Sequence, residues 1–93
     1  MNLGAAIKSI RKEKGISQKE LAEKCDISVN AMSQIEINAT FPQKGTINKI
    51  CDALEIPVAY LLFFAIDDDD VPAEKRSHFN FLNKPIKELL LEK

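Results

Sequence analysis

Apolar residues recur along the first two thirds of the chain with helical spacing. Leu3, Ala6, Ile7 and Ile10 fall at i, i+3, i+4 and i+7, which predicts an amphipathic helix over 3–14. Gly15 follows a basic last turn, where a left-handed residue commonly ends a helix. Ser17-Gln-Lys-Glu20 places Glu three residues after Ser, a capping box that opens a second helix. Leu21, Ala22 and Cys25 share that helix's apolar side, and it is expected to end near Asp26. Ser28 is a second N-cap, opening a third helix from Val29 to about Ile37. Asn38-Ala-Thr-Phe-Pro42 reads as loop, with Asn38 suited to a left-handed close. Ile47, Ile50, Cys51 and Leu54 mark a fourth helix, and Pro57 opens a fifth through about Phe64.

The pattern then changes. Asp67-Asp-Asp-Asp70 is an acidic linker, so the chain divides into a domain over 1–66, the linker over 67–70, and an extension over 71–93. In the extension Pro72 opens a helical stretch with Phe79, Leu82, Ile86 and Leu89 at spacings of 3, 4 and 3. Pro85 lies within it and is expected to kink or interrupt it. No strand pattern or repeat emerges. The expectation is an all-α protein: five packed helices and a C-terminal helical extension.

Against this background the third helix stands apart. Ile27, Met32 and Ile35 supply its packing side, but the outward positions hold Val29, Asn30, Ser33 and Gln34, with no charge before Glu36. A surface helix usually spends that face on Lys and Glu. Asp26 occupies the turn before it, where Gly would be easiest and Asp or Asn next best. Two short helices joined by so tight a turn make a helix-turn-helix, whose second helix enters the DNA major groove.

Charge qualifies the picture without overturning it. The net charge is −1; residues 1–66 carry eight basic against seven acidic side chains, and residues 67–93 five against seven. No large basic field exists, so any grip on phosphate must come from local placement. The longest apolar run, Val58 to Ile66, is nine residues, about half of a membrane span, and no secretory signal is evident. The expectation is a soluble, cytoplasmic protein without membrane association. Cys25 and Cys51 have no metal spacing and fall on core-facing positions. The four aspartates lack the glycine and distal glutamate of a calcium loop. His78 has no nucleophile motif near it. Neither metal, cofactor nor enzymatic activity is expected.

Residues 7–62 resemble the Cro/C1-type (XRE-family) helix-turn-helix domain of phage repressors and bacterial regulators. The match is carried by Ile7, Ile10-Arg-Lys-Glu-Lys-Gly-Ile-Ser-Gln18, Glu20-Leu-Ala-Glu-Lys24, Ile27-Ser28, Ser33-Gln-Ile-Glu36, Pro42, Thr46, Lys49-Ile50 and Ala53-Leu54. The resemblance implies a lambda-repressor-like five-helix fold that binds double-stranded DNA, usually as a homodimer on a palindromic operator. Carried over by position, Val29, Asn30, Ser33 and Gln34 would contact base edges. Gln18 and Ser28 would meet phosphates at the starts of the second and third helices, and Arg11 and Glu36 would form an ion-pair clamp between the first and third.

The chain also departs from the family pattern, which often has Gly at the positions of Asp26 and Asn38 and basic residues at those of Ile37, Ala39 and Thr40. Phosphate anchoring in this loop would then fall to backbone amides, Asn38, Thr40 and Lys44 or Lys49. Modest affinity, a shallow salt dependence and reliance on dimerisation are expected. Phe63 and Phe64, with Phe79, Leu82, Ile86 and Leu89, are dimerisation candidates, although the fifth-helix pair suits core burial as well. The function expected is a dimeric transcriptional repressor. The alternative is an antitoxin-type interaction module that binds a protein partner through its apolar C-terminal helix.

Overall fold

A computed structural model describes residues 1–92. Among these residues every regular element is helical: α1 (Leu3–Glu13), α2 (Gln18–Lys24), α3 (Val29–Glu36), α4 (Lys44–Leu54), α5 (Val58–Ala65) and α6 (Arg76–Leu91), with 3-10 turns over Asp68–Asp70 and Ala73–Lys75. The all-α expectation holds. Among the described residues no helix is long and apolar enough to cross a membrane.

Helices α1 to α5 enclose one core. Ile7, Ile10, Leu21, Met32, Ile50, Leu54 and Leu61 are fully buried, so the apolar stripe of each helix meets the others at the centre. Helix α1 packs against α5 and α3, and α2 against α3 and α4. Cys25 and Cys51 lie buried as free thiols, and burial pushes both thiol pKa values up.

The turns between the core helices share one solution. Gly15, Asp26, Asn38 and Glu55 all have left-handed φ, between 57° and 70°. In each case the next residue's N–H reaches back to close the helix: Ile16 to Arg11 O, Ile27 to Ala22 O, Ala39 to Gln34 O and Ile56 to Cys51 O, at 2.9–3.1 Å. These pairings satisfy helix-end carbonyls that otherwise have no partner. The starts differ. Ser17 caps α2 and forms the reciprocal box with Glu20, and Ser28 caps α3, whereas Gln43 makes no side-chain cap for α4.

Beyond α5 the chain behaves otherwise. Asp70 accepts from the Met1 ammonium and from the Asp67 N–H, which together hold its carboxyl below the usual range. Pro72 opens the extension's helical stretch as expected, first as the 3-10 turn Ala73–Lys75 and then as α6 from Arg76. That helix runs unbroken through Pro85, where a kink or interruption was expected. Phe81 and Pro85 are both exposed, which leaves water able to replace the N–H donor that proline denies the Phe81 carbonyl. None of α6's residues is buried.

Candidate nucleic-acid interface

The site is the outer face of α3, and its position is set from behind by α1. Arg11 Nε donates to Glu36 Oε2 at 2.8 Å and Arg11 Nη2 to Glu36 Oε1 at 3.0 Å, a two-point pair. Arg11 is 8% exposed and Glu36 5%. Two further hydrogen bonds support the pair: Arg11 Nη1 donates to Ile16 O at 3.0 Å, and Gln18 Nε2 donates to Glu36 Oε1 at 3.2 Å. A buried pair with its extra hydrogen bonds met acts as a geometric constraint, because losing either partner would strand a charge. One constellation thus fixes α1, the start of α2 and the end of α3 together.

A second tie, at the opposite end of α1, was not legible as a site in the sequence. A Cβ on Gly4 would collide with the Ile35 carbonyl oxygen and lie 2.6 Å from that of Glu36, so only glycine allows α1 this close to α3. Asn38 completes the contact: its Oδ1 accepts from Gly4 N–H at 3.0 Å, and its Nδ2 donates to Asn2 Oδ1 at 2.7 Å. Asn2 in turn caps α1 by accepting from Ala5 N–H. A glycine inside a helical pattern was the available signal, since glycine there costs stability unless something needs the space.

Held this way, α3 presents its uncharged residues outward. Val29 and Asn30 are exposed, and Ser33 and Gln34 half-buried, on the side opposite Met32 and Ile35. Ile37, one turn beyond Ser33 on the same face, is 64% exposed and extends that surface with an apolar side chain. Phe41 in the following loop is 72% exposed. It borders a small recess with Gln34, Thr40 and Thr46.

The phosphate candidates are dispersed. Ser28 Oγ accepts from Ala31 N–H at 3.0 Å, leaving its hydroxyl proton to donate outward. Gln18 spends one amide hydrogen on Glu36 and keeps the other. Thr40 is exposed at the recess beside α3, and Lys44 is exposed at the start of α4. Asn38 is differently employed: its side-chain amide is engaged at both ends, and its N–H donates to Ile35 O. The Ala39 and Thr40 N–H groups also turn inward, both to Gln34 O, so the loop amides expected to meet phosphate are partly consumed. The free donors lie further on. The N–H groups of the first turn of α4, which has no side-chain cap, remain available beside Lys44.

No cluster of His, Cys, Asp or Glu suited to a metal occurs among the described residues. What the arrangement can do is present hydrogen-bonding and methyl-sized groups on a rigidly held helix, with anion-binding donors at its edges. Groups of these kinds suit direct readout of base edges, with phosphate contacts to set the register.

Comparison with known proteins agrees. The helix-turn-helix family HTH_3 matches residues 7–61. The transcriptional regulator ImmR of Bacillus subtilis is 34% identical over 92 residues, covering 99% of this chain and 68% of the relative. The immunity repressor protein of Bacillus phage phi105 is 30% identical over 80 residues, covering 86% and 53%, and SinR of Bacillus subtilis is 41% identical over 61 residues, covering 64% and 55%. The chain therefore spans between about half and two thirds of these relatives' length. Among solved structures, the clp gene regulator ClgR from Corynebacterium glutamicum superposes with a TM-score of 0.68 at 27% identity, covering 95% of this chain and 86% of that one. These relatives are regulators rather than enzymes, and none of them is named as an antitoxin. The clamped helix with its uncharged outer face and the agreement of these relatives lead to one assignment: the chain belongs to the Cro/C1-type helix-turn-helix family of DNA-binding transcriptional regulators.

Proposed function

We propose that the protein is a dimeric cytoplasmic repressor that reads a palindromic operator through the major groove with residues 28–37. The observation that carries this is the uncharged outer face of α3, held against α1 by the buried Arg11–Glu36 pair. Asn30 and Gln34 are the side chains able to pair bidentately with adenine N6/N7. Val29 and Ile37 suit thymine methyl groups, and Ser33 either kind of edge. Gln18, Ser28, Thr40 and Lys44 contact the flanking phosphates, joined by the free amides opening α4. Asn38 is left out, because its side chain serves the α1–α3 latch.

Each half-site has few charges with which to displace counterions. Affinity is then modest and depends on two copies acting together. Operator binding measured across salt should give a shallow slope; one implying ten or more neutralised phosphates per dimer would overturn that reading. The decisive experiment is selection of bound sequences from random duplex DNA, with Asn30→Ala and Gln34→Ala alongside. The wild type should enrich a two-fold symmetric motif. Each variant should relax preference at its own position and lose about 1–3 kcal/mol. No enriched motif would end the repressor reading.

A further inference from the structure

Past Glu36 the chain leaves the support of the core. Ile37, Asn38, Ala39, Thr40 and Phe41 are all exposed, and the next buried residue is Pro42. The buried Arg11–Glu36 pair holds α3 only as far as residue 36. Hydrogen bonds hold the rest. The Asn38 N–H donates to Ile35 O, and the Ala39 and Thr40 N–H groups to Gln34 O, at 2.9–3.2 Å. These bonds require Asn38 to keep its left-handed φ of 62°, a conformation that a side-chain-bearing residue holds at a cost. Its amide is clasped at both ends, by Gly4 N–H and by Asn2 Oδ1. Asn2 is itself anchored. Its N–H donates at 2.7 Å to the carbonyl of Ala65, the fully buried last residue of α5, and its Oδ1 also accepts from Ala5 N–H at 3.0 Å. One half-buried residue thus joins the start of α1, the end of α5 and the segment that follows α3.

We infer that Asn2 is a positioning residue for DNA reading: acting through Asn38, it sets the pose of Ile37 and Thr40, and with it the sequence preference at the base pair that Ile37 faces. This rests on the groove-reading function proposed above. The single bond from Gly4 would place the Asn38 amide but leave it free to turn about that bond. The second bond, from Asn2, fixes its orientation and so the backbone on either side. The effect is confined to one end of the reading surface. Val29 and Asn30 lie at the other end of α3, which the Ser28 cap and the buried Met32 hold without Asn2. Gly4 acts differently, because it sets how closely the whole of α3 approaches α1.

Two substitutions separate this role from simple capping. Asn2→Ser keeps a strong N-cap for α1, but its hydroxyl is one bond shorter and stops short of Asn38. Asn2→Asp keeps a cap and an acceptor at the same reach. The first measurement is amide hydrogen exchange on the full chain without DNA. Asn2→Ser should speed exchange of the Asn38, Ala39 and Thr40 N–H groups by roughly two- to ten-fold, the worth of one hydrogen bond. The Met32 N–H, bonded to Ser28 O, should be unchanged, and Asn2→Asp should restore the wild-type rates. Unchanged exchange at residues 38–40 would overturn the proposal whatever the protein does on DNA. A uniform rise along α3 would reduce Asn2 to a structural cap and overturn it as well. The second measurement is selection from random duplex DNA with both variants. Asn2→Ser should bind more weakly by a similar factor and relax preference at the position faced by Ile37, while that faced by Asn30 stands; Asn2→Asp should restore both. An unaltered motif, or equal relaxation at every position, would overturn the proposal while leaving the repressor reading in place. A wild type that selects no motif would sink that reading and this role with it, even where the exchange result stands.

Discussion

Helices α3 and α6 both expose faces that a solvated helix would fill with charge, yet they are held in opposite ways. Behind α3 stand Met32 and Ile35, a buried ion pair and the Gly4–Asn38 latch, so its outer face is rigid before any ligand arrives. Behind α6 stand an arginine bound to two loop carbonyls, a lysine over a ring and an open cleft. The faces differ in kind as well. That of α3 is polar and short, suited to hydrogen-bonding a partner whose own edges are polar. That of α6 is aliphatic and aromatic, suited to a partner that is equally apolar. A reading surface must be positioned before it meets DNA, because each misplaced hydrogen bond loses discrimination.

The contrast can be broken at its strongest point by Arg11→Met, which leaves the Glu36 carboxylate buried beside Gln18 alone. Urea unfolding should show a loss of about 3–5 kcal/mol, and adding Glu36→Leu should recover most of it, because the stranded charge rather than the lost pair is the dominant cost. Gly4→Ala forces a methyl group into the α3 carbonyls. A loss of about 1–3 kcal/mol is expected, together with weaker operator binding as α3 is displaced. Smaller effects separate two residues that share a left-handed backbone. Glu55→Gly relieves a strained φ of 57° and should stabilise by about 1 kcal/mol. Asn38→Gly should lose about as much, since both of its latch hydrogen bonds go with the side chain. Smallest of all, Phe81→Ser on α6 should move the unfolding midpoint by no more than about 0.5 kcal/mol, because that ring is 79% exposed. A large loss there would mean that α6 belongs to the core.

Removing residues 71–93 sharpens the same contrast in assembly instead of stability. The five-helix domain should stay folded while its mass in solution falls, and an unchanged dimer would refute the assignment of the extension. Domain circular dichroism and sedimentation read the two outcomes separately.

Much of this was legible before the structure because it rests on local rules. Ser17 and Ser28 announce helix starts by their own hydroxyls, and Gly15, Asp26 and Asn38 announce ends by tolerating left-handed φ. The periodicity of Leu3, Ala6, Ile7 and Ile10 identifies a buried face without reference to what buries it. The uncharged run Val29, Asn30, Ser33 and Gln34 was visible as an anomaly for the same reason, and family resemblance supplied the Arg11–Glu36 pairing across 25 residues. Glu55 escaped notice because glutamate carries no preference for the conformation it adopts there; the chain reversal between α4 and α5 imposes it.

The tertiary structure decided how side chains with several options are spent. Asn38 could have met a phosphate, but Gly4 and Asn2 approach it closely enough to claim both ends of its amide. Gln18 is shared between Glu36 and whatever lies outside. The α6 stripe showed that the helix is amphipathic, though not which way it turns, since periodicity defines a face only relative to the helix's own axis. Sequence by itself therefore determined the helices, their ends and the character of each exposed face, all of which follow from neighbours within about four residues. Only the fold decided which polar groups are already satisfied and which remain free, because those answers depend on residues brought together from distant parts of the chain.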